Sequence, residues 1–162
     1  MNVIRFESQY FNQVAELLSL FRVKLNSFKG INNEPNIISA KEELNSFLTD
    51  EHYPIYLCIK DNEVAGYMIL KIDGVIWIEQ LYVKENYRRK GIGSLLFEEA
   101  EKISHDLGEE TLFNYVHPNN DTMINFLRSK GYTVLNLLEI RKPYKDEKTN
   151  KKYKIGNNDF DY

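Results

Sequence analysis

The sequence predicts one α/β domain of the α+β kind, a central mixed, mostly antiparallel sheet flanked by helices. Two observations predict it. Three β-rich runs, IYLCIK, EVAGYMILKI and VIWIEQLYV, follow one another from Pro54, separated only by Asp61-Asn62 and Asp73-Gly74, pairs that favour tight turns. On either side of these runs apolar residues recur at steps of three and four, the spacing of one helical face. The size agrees: 162 residues, 43% hydrophobic and 28% charged, suit one soluble domain with a sizeable core and are too few for two of ordinary size.

Taken in order, residues 3–6 read as a short first strand, after which Phe11, Val14, Leu18, Phe21, Leu25 and Phe28 mark the buried face of a helix. Gly30, the paired asparagines Asn32 and Asn33, and Pro35 stop it, and a loop crosses to a short helix near 40–49. The three runs from Pro54 form consecutive antiparallel strands. The last is apolar on both faces, as in a central strand covered by helices on each side, and Glu79 lies inside it. Ile92, Leu95, Leu96, Ala100, Ile103 and Leu107 then line a helix whose outer face carries Glu98, Glu99 and Glu101 and which Gly108 ends. TLFNYV at 111–116 is a further strand, Asn119 or Asn120 opens a helix that Gly131 closes, and TVLNLLEI at 133–140 returns as the final strand. Residues 1–142 are therefore assigned to the domain. Residues 143–162 form a polar tail, basic first and acidic at its end, with Ile155, Phe160 and Tyr162 available to anchor it.

Composition excludes several functions. With 21 Lys and Arg against 24 Asp and Glu, the net charge of -3 repels nucleic acid and anionic membrane, so any bound anion must meet a local cluster. Cys58 is the one cysteine, which rules out an internal disulfide and a thiolate-rich metal site, and a reducing cytoplasm is the expected compartment. His52 and His105 show no metal-ligand spacing, and no metal is expected. The start MNVIRFESQYFNQ lacks the sections of a secretory signal, and no apolar run approaches the roughly 20 residues that span a bilayer. The 11 Tyr and 9 Phe fall mostly at core periods, so core packing explains them better than base stacking.

The chemistry is concentrated in Glu79-Gln80-Leu81-Tyr82-Val83-Lys84-Glu85-Asn86-Tyr87-Arg88-Arg89-Lys90-Gly91-Ile92-Gly93-Ser94, which runs from a buried strand through a loop into a helix. The first turn of a helix presents unpaired N–H groups and a partial positive charge, and glycines at 91 and 93 let a phosphate approach the backbone. Arg88, Arg89 and Lys90 add mobile positive charge. Alone these three would be a surface patch; their junction with two glycines at a helix start makes an anion site. A Walker A loop is excluded, since Gly93-Ser94-Leu95 lacks the Gly-Lys-Ser/Thr ending. The dinucleotide fingerprint fails as well, because its third glycine would fall at Leu96 and the preceding strand belongs to an antiparallel run.

Arg88-Arg89-Lys90-Gly91-Ile92-Gly93 resembles the Arg/Gln-x-x-Gly-x-Gly/Ala signature of the GCN5-related N-acetyltransferases (GNAT), and Asn120 with Phe126 and Gly131-Tyr132 is similar to that family's second region. The likeness is strongest over residues 54–132. It implies a sheet splayed between its fourth and fifth strands, here 75–83 and 111–116, with acetyl-CoA in the cleft and a bulged backbone N–H polarising the thioester carbonyl. It further implies that the backbone from Arg88 through Gly91, Ile92 and Gly93 to Ser94 holds the CoA diphosphate, and that Leu81 and Val83 on either side of Tyr82 pair with the pantetheine arm. Asn120 and Phe126 would then meet CoA from the opposite side. The reaction implied is acetyl transfer from acetyl-CoA to an amine, and a homodimer through TVLNLLEI is compatible with it.

An alkylamine, with a pKa near ~10, is protonated at neutral pH and has no lone pair for attack, so a base is required. Glu79 shares a strand face with Trp77 and Leu81 by the period-two rule, and a carboxylate held among apolar neighbours accepts a proton more readily than one in water. From the residues alone a salt-bridged or solvent-facing Glu79 is the simpler account; the resemblance moves it to candidate base, since many relatives carry a carboxylate there. Where relatives often place a tyrosine as acid, this sequence has Leu127, leaving Tyr115, Tyr132 or water as donors to the departing thiolate. Cys58, in an apolar strand without a local activating partner, reads as structural. His117 adjoins Pro118 at a strand end, within reach of the cleft. Three functions remain: an N-acetyltransferase, a non-catalytic acyl-CoA-binding or sensing module that keeps the cradle without the chemistry, and, more distantly, a nucleotide-phosphate-binding protein whose cradle takes another diphosphate.

Overall fold

Strands β1 (Asn2–Arg5), β2 (Ile55–Lys60), β3 (Glu63–Asp73), β4 (Val75–Val83) and β5 (Phe113–Asn114) form one sheet in that order in the computed structural model, which describes residues 1–162. β1 to β4 pair antiparallel, and β5 joins β4 in parallel. The two hairpins turn where the sequence predicts. Asp61 and Asn62 both take positive φ, as a two-residue turn matched to the strand twist requires, and Gly74 sits at φ +70° between Asp73 and Val75.

Helices α1 (Phe11–Phe28) and α2 (Ile37–Leu48) cover one face of the sheet. Val14, Leu18 and Leu44 pack there against Leu57, Tyr67 and Ile69. Asn36 caps α2 by accepting the Ser39 N–H at 3.0 Å, so the helix starts three residues before the predicted position. Helix α3 (Ile92–Asp106) covers the other face, where its Ile92, Leu96, Phe97 and Ala100 are buried along with Met68 and Leu70 of β3. Gly108 (φ +83°) follows its end.

Gly66 of β3, which the sequence does not single out, sets the spacing between sheet and helix. A Cβ there would stand 2.9 Å from the Tyr82 carbonyl oxygen, 3.2 Å from Ile92 Cγ2 and 3.4 Å from Leu96 Cδ1. The carbonyl belongs to the neighbouring strand and cannot swing aside. Gly66→Ala is therefore expected to destabilise the protein by about 1–3 kcal/mol, as overpacking in cores does. Urea denaturation measures it, and an unchanged midpoint would mean that β3 and α3 separate freely.

Two compact units divide the chain, Met1–Phe126 and Leu127–Tyr162, with helix α4 (Asp121–Ser129) running across the division. In the second unit the predicted strand TVLNLLEI is absent. Val134, Leu135, Leu137 and Ile140 are instead 87%, 67%, 71% and 70% exposed. A strand exists only by its ladder, and residues 133–140 hydrogen-bond to none, whatever their β propensity. The regular structure lies in the tail: β6 (Lys152–Ile155) and β7 (Asn158–Asp161) form a hairpin around Gly156-Asn157. Reciprocal backbone bonds between Lys151 and Tyr162, at 3.1 and 2.9 Å, close it. Tyr153 meets Tyr162 edge-on, and Arg141 forks onto Glu147 at 2.8 and 2.7 Å.

Candidate functional site: an anion cradle beside a split sheet

After β4 the chain makes a short turn at Glu85–Tyr87 and enters α3 through Arg88, Arg89, Lys90 and Gly91. This loop is tied to itself and to the β2–β3 hairpin. Arg88 Nε donates to the Val83 carbonyl at 3.0 Å, Lys90 Nζ to the Asn86 carbonyl at 2.9 Å, and Lys84 pairs with Glu63 at 3.2 Å. Gly91 takes φ +83°, the left-handed region where a Cβ is strained, and Arg89 enters that region at φ 60°. A side-chain-bearing residue held there costs on the order of 1–3 kcal/mol, a type of strain that clusters at ligand clamps.

Leu95 is the first residue of α3 to close a helical bond, its N–H reaching the Gly91 carbonyl at 3.0 Å. The amides of Ile92, Gly93 and Ser94 therefore precede the intrahelical ladder, and no side chain caps Gly91. Nothing lies within 4 Å of where a Gly91 Cβ would stand. Uncapped donors and the positive end of the helix adjoin open space, with Arg88, Arg89 and Lys90 on the loop that leads into them, a combination suited to a diphosphate.

Beside the cradle the sheet splits. β5 pairs with β4 at two rows, Trp77 with Phe113 and Ile78 with Asn114, and from Gln80 to Val83 the β4 ladder continues on the β3 side alone. The backbone at Leu81 and Val83 thus lines an open strand edge that leads to the loop. At the last paired row, Asn114 Oδ1 is buried with no hydrogen-bond partner. Buried acceptors are almost always satisfied, so this one is suited to a donor such as the pantetheine amides carry. The residues present fit CoA.

Glu79 occupies the point where β4 leaves its regular register. Ile69 of β3 pairs with Gln80 and the next residue, Leu70, pairs with Ile78, so Glu79 is the extra residue of a β-bulge. The bulge overturns the expected parity. Trp77, Gln80 and Tyr82 pair with Lys71, Ile69 and Tyr67 on the α1/α2 face, while Ile78 and Leu81 pair with Leu70 and Met68 on the α3 face. Trp77 and Leu81 are therefore on opposite faces, contrary to the period-two reading. Glu79 is half-buried, and its charge reaches Arg22 of α1.

Sequence reasoning missed the side chains next to this bulge. Gln80 is 3% exposed, and its Oε1 accepts from the fully buried Tyr67 hydroxyl at 2.8 Å. Its Nε2 donates to Glu43 Oε1, also at 2.8 Å, and Glu43 is clamped by Arg22, whose Nε donates to both carboxylate oxygens at 2.9 and 3.1 Å and whose Nη2 pairs with Oε1. The Arg22 guanidinium is held above its usual range first by the hydrogen bond to Glu43, against burial, which lowers it, with smaller contributions from the Glu43 and Glu79 charges. Burial drives the Tyr67 phenol well above the ordinary range, so it remains a donor. A polar pair, Glu79-Gln80, inside an otherwise apolar run was the available signal.

The remaining candidates are dispersed. Tyr115 is 65% exposed, its ring stacked on Trp77 with centroids 4.4 Å apart. Asn120 caps α4, its Oδ1 accepting the Met123 N–H at 3.2 Å, and Phe126 packs edge-on against Phe97 of α3. Leu127 is buried and has no proton to give. Cys58 is buried, and desolvation raises its thiol above the usual range, the condition of an inert core cysteine. His117 stacks on Phe28 with centroids 5.4 Å apart and accepts the Asn119 N–H through Nδ1. Burial, then Lys29, lowers its imidazole below the usual range, so it is neutral at pH 7. No helix is long and apolar enough to cross a membrane.

Residues 15–132 match the acetyltransferase (GNAT) family. The chain is 31% identical over 87 residues to an uncharacterised N-acetyltransferase encoded in the pepI 3' region of Lactobacillus delbrueckii subsp. lactis, which covers 48% of this chain and 50% of the relative. The chain thus aligns with about half the length of that relative. The aminoglycoside 6'-N-acetyltransferase AAC(6')-Ig of Acinetobacter haemolyticus has the same fold, with a TM-score of 0.70 at 16% identity over 90% of this chain and 100% of that one. So does AAC(6')-Iy bound to the bisubstrate analogue CoA-S-monomethyl-acetylneamine, with a TM-score of 0.62 at 13% identity over 87% and 97%. Likeness at such low identity extends to the fold alone.

Proposed function

This chain belongs to the acetyltransferase (GNAT) family, and from that premise we propose that it transfers the acetyl group of acetyl-CoA directly to a primary amine. The observation that carries this is the conjunction of an open β4 edge with the uncapped start of α3. Arg88 to Ser94 would hold the diphosphate, and the Leu81 and Val83 backbone and Asn114 Oδ1 would take the pantetheine arm, with Asn120 and Phe126 on the far side. Bound there, acetyl-CoA supplies an activated acyl group.

Glu79 is the proposed base. It accepts a proton from the ammonium, directly or through water; the freed nitrogen lone pair attacks the thioester carbonyl carbon and a C–N bond forms; the C–S bond then breaks, sulfur leaves as thiolate, and the nitrogen releases its second proton to water to give the neutral amide. Its half-burial beside the split supports this role. The thiolate takes its proton from water or from Tyr115, whose exposed ring borders the same strand. A thiol is acidic enough to depart without an obligatory acid. The aminoglycoside acetyltransferases among the structural neighbours make a polyamine-like acceptor the first class to try. Residues 1–142 are taken as the catalytic domain in a cytoplasmic enzyme, and the exposed 133–140 segment supports a homodimer that covers it.

The test is acetyl-CoA binding together with CoA-thiol release on four amines: sisomicin, spermidine, a lysine-bearing peptide and a peptide with a free N-terminus. Turnover with one of them supports the enzyme. Tight binding without turnover on any would favour the acyl-CoA-sensing module, and absence of CoA binding would sink both.

A further inference from the structure

The β4 bulge and the buried polar chain beside it depend on each other. If the bulge were ironed out, strict alternation from Ile78 would swing Gln80 to the α3 face, into the apolar layer of Met68, Leu70 and Leu96. Only the bulged register points Gln80 at α2, where Tyr67 and Glu43 satisfy its amide from both ends at 2.8 Å. Arg22 fixes the far end of the chain, so four elements, α1, α2, β3 and β4, are tied to the residue adjoining Glu79. A buried polar group that has partners in one register alone selects that register.

We infer that Tyr67, Gln80, Glu43 and Arg22 form a positioning network that locks the β4 bulge and thereby aims the Glu79 carboxylate at the acceptor amine. None of the four needs to touch substrate for this. The inference rests on the reading of Glu79 as base, and the experiment separates the two. Tyr67→Phe with Gln80→Met removes both buried partners together and keeps their volumes, a change that is nearly neutral for stability. Arg22 and Glu43 remain paired with each other.

Amide hydrogen exchange of residues 78–81 in the free protein reads the bulge directly, and kcat with acetyl-CoA and the fastest of the four amines reads its consequence. The double variant is expected to exchange roughly tenfold faster there and to lose roughly tenfold in kcat, with CoA affinity and acceptor KM kept, because small misplacements of a reacting group cost rate and not binding. Added to Glu79→Gln, it should cost nothing further. A folded double variant with wild-type exchange or wild-type kcat overturns the inference, as does an equal loss in the Glu79→Gln background. Should the double variant not fold, Tyr67→Phe alone carries the same comparisons. If Glu79→Gln by itself leaves kcat intact, the base reading falls, and the exchange rates alone decide whether the network holds the bulge.

Discussion

Replacing Gly91 with glutamate should abolish CoA binding, with at least a roughly hundredfold rise in Kd, because it damages the cradle twice. The residue sits at φ +83°, a conformation that costs a side-chain-bearing residue on the order of 1–3 kcal/mol, so the loop must rearrange or carry strain. Its new carboxylate would also enter the open space in front of the Ile92, Gly93 and Ser94 amides and take the place of a phosphate. Calorimetric titration with CoA measures the loss. Gly91→Ala tests the backbone contribution by itself and should weaken binding less. Unchanged affinity in Gly91→Glu would move the diphosphate site elsewhere.

Glu79→Gln should lower kcat by about a hundredfold or more while CoA affinity stays within twofold, the range expected for loss of a general base. Glutamine preserves the shape of the side chain and its place at the bulge but cannot take a proton. A profile of kcat/KM against pH adds a second reading. If the base acts on the ammonium form, the residual activity of the variant should climb with pH towards the amine's own pKa near ~10, where free amine becomes abundant. Wild-type kcat in Glu79→Gln would leave deprotonation to water and remove Glu79 from the mechanism.

The hairpins, the three long helices and the glycine-led start of α3 were legible because each is written locally. Asp61-Asn62 and Asp73-Gly74 announce turns, the 3-4 spacing announces α1 and α3, and the basic loop with Gly91 announces a helix start. What escaped depends on partners distant in the chain. TVLNLLEI has strand-forming residues and yet no ladder, while the polar tail, whose composition suggests solvent, supplies Gly156-Asn157 at the right spacing for a hairpin. At the site, alternation placed Glu79 on one face with both Trp77 and Leu81, and one extra residue in β4 undid that count. The Gln80 network joins residues up to 58 positions apart, Arg22 to Gln80, which no sequence window contains.

The open edge of β4 has a cost for the empty protein. From Glu79 to Val83 a central strand, flanked by apolar side chains, has no second strand along one side, where Arg88 Nε meets the Val83 carbonyl. Such an edge is a template for any extended chain, and proteins ordinarily blunt it with charge, proline or cover. On the proposed function the cover would be acetyl-CoA, which would then behave towards the empty protein as a chaperone does towards a nascent sheet. Its stabilising effect grows as RT ln(1 + [L]/Kd), about 2.7 kcal/mol at a hundredfold excess over Kd. The cellular acetyl-CoA pool would then govern how long the enzyme survives as well as how fast it works.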